Sequence, residues 1–415
     1  MASVKQHVAL VSVHGDPAVE IGKEEAGGQN VYVRQVGEAL ARQGWQVEMF
    51  TRQSHSDRPS IVEHSSNCRT IRLTAGPEDF VPRDELFDYL PTFVDRLLEF
   101  QEHAGVRYQL VHTNYWLSAW VGMALKKHQK IAQVHTHHSL GAVKYRTVAS
   151  KPPIASVRLE TEQACIETAE RAIATSSQEV EDMRSLVTPK GNIDVIPCGT
   201  DIERFGSISK LDARQKLGLD PNAKIAFYIG RFDPRKGIET LVRAIHLSEL
   251  RNKTNFQLII GGGSRPGQAD GRERERIEQI VDELGLRSLT HFPGRIPDEL
   301  MPAYYAAADV CAVPSHYEPF GLVALEAMAS RTPVVASQVG GLQYSVVSEE
   351  TGLLVPPQED AAWAASIDRI LSDETWQKQL GQAARARVVR HFSWESVASN
   401  LARLYTQLLE SSLEK

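Results

Sequence analysis

The sequence predicts two α/β domains, each built on a doubly wound parallel sheet with helices on both faces. A chain of 415 residues exceeds the roughly 250 to 300 residues that one hydrophobic core supports. Short β-branched runs alternate with helical patterns along it, which is typical of parallel sheets. The alternation stops once, at the turn-forming residues 197–206, and resumes at Ile225. We therefore predict one domain over residues 1–198 and a second over 199–393.

A series of strand-like runs supports this assignment, and each is followed by a helical pattern. The predicted strands are Val8–Val13, Val47–Phe50, Leu110–His112, Ile131–His135, Ala172–Thr175, Ile225–Ile229, Phe256–Ile260, Val310–Val313 and Val334–Ala336. Parallel sheets bind ligands at the carboxyl ends of their strands. We therefore expect the motifs that follow strands in the two halves to converge on a cleft between facing domains.

The last segment has the pattern of an amphipathic helix over residues 394–415. Apolar residues recur there at spacings of three and four, which gives one broad apolar face. They are Trp394, Val397, Leu401, Leu404, Tyr405 and Leu408. The pattern allows this helix to pack on the nearer second domain or to cross back to the first.

Composition excludes several classes of protein. A net charge of -6 and a pI near 6.2 argue against a nucleic-acid-binding protein, which needs clustered Lys and Arg. No apolar run reaches the roughly 18 residues of a membrane span, and the first residues do not resemble a secretory signal, so we expect a cytoplasmic protein. The four cysteines form no Cys-x-x-Cys pair, so no zinc or redox dithiol site is predicted.

Two cations after the strand Ile225–Ile229 predict an anion site. Arg231 ends this strand, and Lys236 follows a proline-containing turn that leads into a helix near Gly237. Cations held near a helix N-terminus bind a diphosphate without a metal. The alternative is that both are ordinary surface cations.

Two acidic residues after the strand Val310–Val313 extend this site. Glu318 lies in a loop and Glu326 in a helical run from Leu322 to Ala329. Eight helical residues span ~12 Å, so the two carboxylates would contact different parts of an extended ligand, one the sugar hydroxyls and the other a ribose. Phe320 and Gly321 place backbone N–H groups at the helix start. Two solvated helical acids are the alternative, which the nearby cations make less favourable.

In the first half, Gly27 and Gly28 precede a helix and let the backbone approach a ligand near the helix N-terminus. Gln29 would offer an amide there, although a plain glycine turn is an alternative.

The segment from His135 also holds His137 and His138, and three histidines so close together raise the hypothesis of a metal site. Neighbouring residues on an extended strand end point to opposite sides, and no carboxylate or Cys completes a ligand set. A packed, hydrogen-bonded histidine is therefore favoured.

A second group of polar residues in the first half falls in predicted loops or at helix starts. It consists of Arg83, Tyr115, Ser139, Lys144 and Arg158. Each alone has the ordinary explanation of a surface side chain. Together they predict a pocket for a phosphate group.

These motifs resemble the retaining nucleotide-sugar glycosyltransferases of the GT-B fold nearly end to end. The resemblance is greatest to the sucrose-phosphate synthases, through His14–Pro17, Gly27–Tyr32, His138–Lys144 and Arg158–Glu162. It implies that Arg231 and Lys236 bind the diphosphate and stabilise the departing UDP. Glu318 would bind the sugar hydroxyls, Glu326 the ribose, and His138 the transferred hexose. The donor-binding set implied by the resemblance is Gly28, Arg231, Lys236, Glu318, Phe320, Gly321, Leu322 and Glu326.

The same resemblance implies UDP-glucose and fructose 6-phosphate as substrates and a catalytic group of His138, Arg231, Lys236 and Glu318. The acceptor would contact Gly28, Gln29, Arg83, Tyr115, Ser139, Lys144 and Arg158. No Asp-x-Asp occurs in the sequence, so we expect neither an essential metal nor another cofactor. Two departures from relatives are Arg83, where relatives carry Lys, and Ser156, where some carry Arg.

Other functions stay open at this stage. Inositol-phosphate N-acetylglucosaminyltransferases resemble the chain at Ala26-Gly27-Gly28 and Asn30–Val33. A sucrose synthase acting on free fructose would leave Arg83, Lys144 and Arg158 without a phosphate. A non-catalytic nucleotide-sugar sensor would lack a catalytic group, and none of the predicted ones is missing.

Overall fold

A computed structural model describes residues 6–19, 27–146, 150–252, 255–318 and 320–413. The chain divides into two compact units. The first unit comprises Met1–Cys198 and Trp394–Lys415, and the second comprises Gly199–Ser393. Each unit contains one sheet, so the predicted fold class of two mostly parallel α/β sheets is confirmed.

The first unit has an eight-stranded sheet in the order β3-β4-β2-β1-β5-β6-β7-β8. Its strands are β1 His7–Val11, β2 Gln46–Arg52, β3 Ile61–Ser65, β4 Cys68–Leu73, β5 Leu110–Asn114, β6 Ala132–Thr136, β7 Arg171–Ala174 and β8 Ile193–Val195. Its first helices are α1 Gly28–Arg42, α2 Leu90–Ala104, α3 Tyr115–His128, α4 Gly141–Lys144, α5 Ala155–Thr168 and α6 Ser177–Asp182. A 3-10 helix, Arg83–Tyr89, precedes α2. All described pairings are parallel except β3 with β4.

The second unit has a six-stranded parallel sheet in the order β11-β10-β9-β12-β13-β14. Its strands are β9 Lys224–Ile229, β10 Phe256–Gly261, β11 Thr290–Gly294, β12 Val310–Val313, β13 Val334–Ser337 and β14 Gly352–Val355. Its helices are α7 Lys210–Leu217, α8 Ile238–Leu247, α9 Ala269–Glu283, α10 Met301–Ala307, α11 Leu322–Ala329, α12 Leu342–Ser345, α13 Asp360–Ser372 and α14 Glu374–His391. Its core joins the apolar faces of α8, α9 and α13 to the central strands.

Among the parallel strands of each sheet, the strand order reverses direction once, at β1 in the first unit and at β9 in the second. In the first unit β1 pairs with β2 on one side and β5 on the other. In the second unit β9 pairs with β10 on one side and β12 on the other. Loops that leave such neighbouring strands in opposite directions open a crevice at the carboxyl ends. The predicted site residues follow β1, β4, β5 and β6 in the first unit and β9 and β12 in the second.

After the second unit the chain returns to the first with the long helix α15, Trp394–Leu413. It packs on α1, where Arg42 and Glu395 form an ion pair at 2.7 Å. The Tyr405 ring packs edge-on against Trp45 at 5.4 Å, and its hydroxyl bonds Nδ1 of the buried His112 at 2.5 Å. Of the two packings that its pattern allowed, α15 therefore takes the one on the first unit. No helix among the described residues is both long and apolar enough to cross a membrane.

The sequence missed five strands, β3, β4, β8, β11 and β14. Strand β4 was missed because Arg69 and Arg72 interrupt its apolar pattern. Both arginines lie in a largely buried segment, where acidic residues balance their charges. Arg72 pairs with Asp16 at 2.8 Å, and Arg69 pairs with Glu48 on β2. The edge strand β3 alternates between exposed and half-buried residues and so lacks an apolar run.

Candidate functional site

In the second unit, the crevice beside β9 carries a cationic group that has no hydrogen-bond partner in the part of the chain that the structure describes. Arg231 is exposed, and no described side chain accepts a hydrogen bond from its guanidinium. The backbone oxygen of Arg231 accepts a 3.3 Å bond from the buried Tyr228 hydroxyl, which fixes the chain at this point. The cationic group is therefore available to an anion from solvent.

Lys236 lies nearby but is already paired. Its Nζ donates to Oε2 of Glu318 at 2.5 Å, and the Ser315 hydroxyl donates to the same oxygen at 3.3 Å. Both ionic side chains are partly exposed, at 24% and 15%. The structure thus brings together two of the predicted catalytic residues, from the loops after β9 and β12.

Glycines set the close approach of these loops. Gly237 has φ 66°, and a Cβ there would lie 2.0 Å from the Pro314 oxygen. Gly340 has φ 47°, and a Cβ there would lie 2.1 Å from the Glu318 oxygen, to which the Gly341 N–H donates at 3.1 Å. A residue with a side chain at either glycine would push the loops apart and disturb the ion pair.

The start of α11 is built as the sequence predicts. Gly321 is its N-cap with φ 83°, Leu322 is its first residue, and Phe320 is buried with its ring 6.3 Å from that of Phe392. Pro319 lies outside the described residues. The first turn thus presents backbone N–H groups beside the Glu318 loop, which suits a negatively charged ligand.

Glu326 occupies a separate position two turns along α11. Its Oε2 accepts a 2.6 Å hydrogen bond from the buried hydroxyl of Tyr305. Burial raises the pKa of the Glu326 carboxyl to about 7, and this hydrogen bond opposes the rise. No hydrogen bond in the described part of the chain joins Glu326 to Lys236 or Glu318. The two acids therefore have different surroundings, as contacts to different parts of a ligand would require.

In the first unit, His138 does not lie on an extended strand end as the sequence suggested. Strand β6 ends at Thr136, and His138 has φ 59°, in the left-handed region that non-glycine residues rarely adopt. Its Nε2 bonds the Asn114 side-chain oxygen at 2.9 Å, and its ring packs edge-on against Tyr32 at 4.8 Å. The turn in the backbone directs the imidazole toward the end of β5.

Two neighbouring histidines, His135 and His137, are buried at the end of β6. His135 Nε2 lies 3.3 Å from His137 Nδ1, and His135 Nδ1 bonds the Thr113 hydroxyl at 2.9 Å. Burial lowers the pKa of His137 and of His138 to about 3, so both rings are neutral near pH 7. Among the described residues, no group of three or more His, Cys, Asp or Glu could hold a metal ion.

Arg158 is enclosed to a degree that the sequence did not predict. Its side chain is 2% exposed, and Nε donates to Glu162 at 2.7 Å within α5. Its other nitrogens donate to the Tyr115 hydroxyl at 3.1 Å and the Ser139 backbone oxygen at 2.8 Å. Glu162 also accepts from the Gly141 N–H at 2.8 Å. This network ties α3, α4 and α5 together around Ser139.

Tyr115 joins the two predicted arginines. It begins α3 with φ 73°, and its ring lies 5.4 Å from the Arg83 guanidinium and 5.0 Å from that of Arg158. Arg83, at the start of its 3-10 helix, is exposed, whereas Lys144 at the end of α4 is half-buried. The structure therefore gathers Arg83, Tyr115, Ser139 and Arg158 at one place.

The glycine motif begins α1 as predicted, with Gly27 as N-cap and Gly28 as first residue. Gln29 Nε2 donates to the Ser12 hydroxyl at 2.9 Å and to the Asn114 backbone oxygen at 3.3 Å. Gln29 thus connects α1 to the ends of β1 and β5. Its amide is held in place rather than fully free for a ligand.

Sequence reasoning missed three residues that hold the predicted ones: Asn114 against His138, Glu162 against Arg158, and Tyr305 against Glu326. The spacing of Arg158 and Glu162, four apart in a predicted helix, was a readable signal of an ion pair. Asn114 and Tyr305 gave no such signal, because their partners are 24 and 21 residues away in sequence.

Comparisons with known proteins agree with this architecture. A family model for glycosyltransferase family 4 matches residues 26–204, and one for glycosyl transferases group 1 matches residues 209–387. Among curated relatives, a D-inositol 3-phosphate glycosyltransferase of Corynebacterium efficiens is 36% identical over 96% of this chain and 95% of its own length. The corresponding protein of Corynebacterium jeikeium is also 36% identical, over 97% of this chain and 96% of its own length.

Among solved structures, a sucrose-phosphate synthase from Thermosynechococcus elongatus is 50% identical, with a TM-score of 0.86. The match covers 98% of this chain and all of that one. Anabaena HepE in complex with UDP and glucose has a TM-score of 0.74 at 19% identity, over 97% of this chain and 100% of that one, and shows the fold alone. The predicted resemblance to the sucrose-phosphate synthases is confirmed.

Proposed function

Because this chain belongs to the GT-B glycosyltransferases, we propose that it transfers glucose from UDP-glucose to fructose 6-phosphate, giving sucrose 6-phosphate and UDP. The observation that carries the proposal is the end-to-end likeness at 50% identity to a sucrose-phosphate synthase. The likeness to D-inositol 3-phosphate glycosyltransferases is lower, at 36%. The names of both relatives include a phosphate, which favours a phosphorylated acceptor or product.

The second unit would bind the donor. A diphosphate meets the exposed Arg231 and competes with Glu318 for the Lys236 ammonium, because a doubly charged group is the stronger partner. Once displaced, the Glu318 carboxylate is free to accept hydrogen bonds from sugar hydroxyls, and Glu326 from the ribose. The ion pair in the ligand-free protein thus keeps both groups in position until the donor arrives.

The first unit would bind the acceptor. Arg83 and Arg158 converge on the Tyr115 ring, and the Arg83 guanidinium is exposed to an incoming phosphate. Arg158 contributes positive potential but is enclosed by Glu162, Tyr115 and Ser139. Lys144 and the N-terminus of α1 at Gly28 complete the proposed phosphate and sugar contacts.

The proposed transfer retains configuration at the anomeric carbon. The bond from this carbon to the diphosphate oxygen breaks as the bond to the acceptor 2-hydroxyl oxygen forms on the same face. The hydroxyl proton moves to the departing diphosphate. Arg231 and Lys236 stabilise the charge on UDP, so the proposal needs no metal and no further cofactor. His138, with its pKa lowered to about 3, stays neutral and acts by hydrogen bonding.

A parallel assay tests the proposal and separates it from its alternatives. UDP release is measured from UDP-glucose with fructose 6-phosphate, free fructose or D-inositol 3-phosphate, and from UDP-N-acetylglucosamine with the inositol phosphate. We expect turnover with fructose 6-phosphate to exceed that of every other pair. Preference for the inositol phosphate would identify the second candidate, which the 36% identical relatives support. Nucleotide-sugar binding without turnover in any pair would favour a sensor.

A further inference from the structure

Asn114, at the end of β5, has an amide whose orientation is fixed by its neighbours. Its side chain is 1% exposed, and Nδ2 donates to the backbone oxygens of His112 at 3.3 Å and Val11 at 3.4 Å. Because both partners are carbonyl groups, only the N–H side of the amide can face them. The amide oxygen therefore faces His138, 2.9 Å from Nε2 of the ring.

This arrangement determines where the His138 proton lies. The Asn114 oxygen can only accept a hydrogen bond, so Nε2 must carry the hydrogen. Burial keeps the ring neutral, which leaves Nδ1 without a proton and able to accept. Nδ1 has no hydrogen-bond partner among the described residues, and the residue as a whole keeps partial solvent exposure. An oriented acceptor atom is thus left without a donor.

The backbone supports the same orientation. His138 holds a left-handed φ of 59°, a conformation that costs a non-glycine residue free energy and is often found where a side chain must point at a ligand. Tyr32 packs edge-on against the ring and restricts its rotation. The Asn114 backbone oxygen also accepts a hydrogen bond from the side-chain amide of Gln29. One buried residue therefore connects two predicted ligand contacts.

We propose that Asn114 is a positioning residue that fixes the Nε2–H tautomer of His138, so that Nδ1 accepts a hydrogen bond from a hydroxyl of a bound sugar. The proposal deepens the proposed glycosyl transfer and rests on it. Either sugar could supply the hydroxyl, the glucose of the donor or the phosphorylated acceptor. A hydroxyl is the fitting partner because it donates to Nδ1 and carries no charge that a buried neutral ring would have to compensate.

The histidines around His138 have lowered pKa values, which simplifies a measurement of the His138 tautomer between pH 5 and 8. Within the described part of the chain, four histidines interact electrostatically with His138: His14, His112, His135 and His137. Burial lowers the pKa of each one, to about 3 for His112 and His137, and so favours the neutral form of all four rings. A change in the His138 ring can therefore be assigned to its own hydrogen bonds.

The first experiment measures the tautomer directly by nitrogen NMR of the histidine-labelled, ligand-free full-length protein, with His138→Asn used to assign the signal. We expect the His138 ring to show protonated Nε2 and bare Nδ1 at every pH from 5 to 8. Asn114→Ala should release the ring into a mixture of tautomers. A wild-type ring protonated on Nδ1, or an unchanged ring in the variant, would overturn the proposal. The wild-type measurement decides even if the variant does not fold.

Gln133→Leu is the matched control for losing a buried amide. Gln133 lies on β6, is fully buried, and donates to Thr113 and the Ala119 backbone without touching His138. We expect it to lower stability while leaving the His138 signals and the KM values unchanged. If it alters the tautomer as Asn114→Ala does, the effect belongs to general loosening of the sheet and the proposal fails.

The second experiment identifies the sugar. UDP-glucose and fructose 6-phosphate analogues that each lack one hydroxyl are compared in the wild type and in Asn114→Ala. The variant should lose about tenfold in kcat/KM with intact substrates, the size of one oriented hydrogen bond. That loss should disappear with the one analogue lacking the partner hydroxyl, because the two changes then remove the same bond.

An equal loss with every analogue of both series would show that Nδ1 binds no sugar hydroxyl. These outcomes stay distinct from failure of the proposed function. The tautomer is read without substrate, and binding of the UDP-glucose analogues can be measured by calorimetry if fructose 6-phosphate proves not to be the acceptor.

Discussion

The two units hold their predicted ligand-binding cations in opposite ways. In the second unit, Arg231 is exposed and its guanidinium makes no hydrogen bond or ion pair with another described residue, and Lys236 shares a partly exposed ion pair with Glu318. In the first unit, Arg158 and Glu162 are 2% and 0% exposed and are surrounded by further hydrogen bonds. In the proposed donor site the cations can therefore exchange partners, whereas in the proposed acceptor site Arg158 is held by a buried ion pair.

This difference separates binding from stability. Exposed ion pairs contribute only about 0 to 1 kcal/mol, and the Lys236–Glu318 pair is partly exposed, so a ligand can displace it at a small cost in free energy. A buried pair contributes little net stability either, but losing one partner leaves an uncompensated buried charge. Substitutions in the second unit should therefore change turnover with little effect on folding. Substitutions at Arg158 should change both.

Lys236→Ala should give the largest effect. Removing this cation takes away stabilisation of the departing diphosphate, and we expect turnover to fall by about 10²- to 10³-fold with unfolding little changed. UDP release and thermal unfolding measure the two quantities. Arg235→Ala is the control, since its guanidinium binds Asp233 at 2.5 Å instead. Near-normal turnover in Lys236→Ala would remove this residue from the catalytic group.

Arg158→Leu tests the buried ion pair between Arg158 and Glu162. Leaving Glu162 buried without its cation should lower the free energy of unfolding by about 3 to 5 kcal/mol, measured by urea denaturation. The control is Arg96→Leu, which breaks an exposed pair with Glu99 and should cost under about 1 kcal/mol. The double variant Arg158→Met with Glu162→Gln should recover much of the stability but not the acceptor KM. Equal costs at Arg158 and Arg96 would contradict the comparison.

Glu326 should give a pH-dependent effect within the second unit. Its folded-state pKa of about 7 lies above the ordinary 4.5, so its contribution to stability is present at low pH and is lost as pH rises from 4.5 to about 7. Glu326→Gln should therefore gain stability relative to wild type between pH 5 and pH 8.

Tyr305→Phe sharpens the same measurement. It removes the hydrogen bond that lowers the Glu326 pKa, so the pKa should rise further and the loss of stability at pH 8 should grow. Tyr304→Phe is the matched control, because the Tyr304 ring stacks on Phe227 at 5.7 Å and makes no described bond to Glu326. If the stability of the wild type and that of Glu326→Gln change with pH in the same way, Glu326 does not titrate in this range.

Arg83→Lys should give the smallest effect. The charge is kept while the planar contact with the Tyr115 ring is lost, so we expect the fructose 6-phosphate KM to rise about two- to fivefold. Arg83→Ala should raise it further, and neither change should alter inhibition by free fructose. An equal effect on both compounds would exclude a phosphate contact at Arg83.

The sequence predicted correctly those strands and helices whose pattern lies within a few consecutive residues. Strand β12 and helix α11 have the predicted bounds, because an unbroken apolar run and a glycine-capped helical pattern each lie within a few residues. The Lys236 and Glu318 motifs could be read for the same reason, since each follows its own strand.

What the sequence did not reveal depends on long-range contacts. The arginines of β4 belong in a strand only because Glu48 and Asp16 neutralise them from elsewhere. The left-handed turn at His138 needs Asn114 and Tyr32, which lie far along the chain. No local pattern encodes such a conformation, because its free-energy cost is met by packing against distant residues.

The return of α15 to the first unit has a consequence for synthesis. Val397, Leu401 and Tyr405 are fully buried against a unit whose last strand, β8, already ends at Val195, and the Tyr405 hydroxyl bonds one ring nitrogen of His112. During translation the second unit emerges whole before this helix exists, so it can finish folding first. Until α15 is synthesised, the surface of the first unit around Trp45 and α1 lacks the helix that covers it in the folded protein.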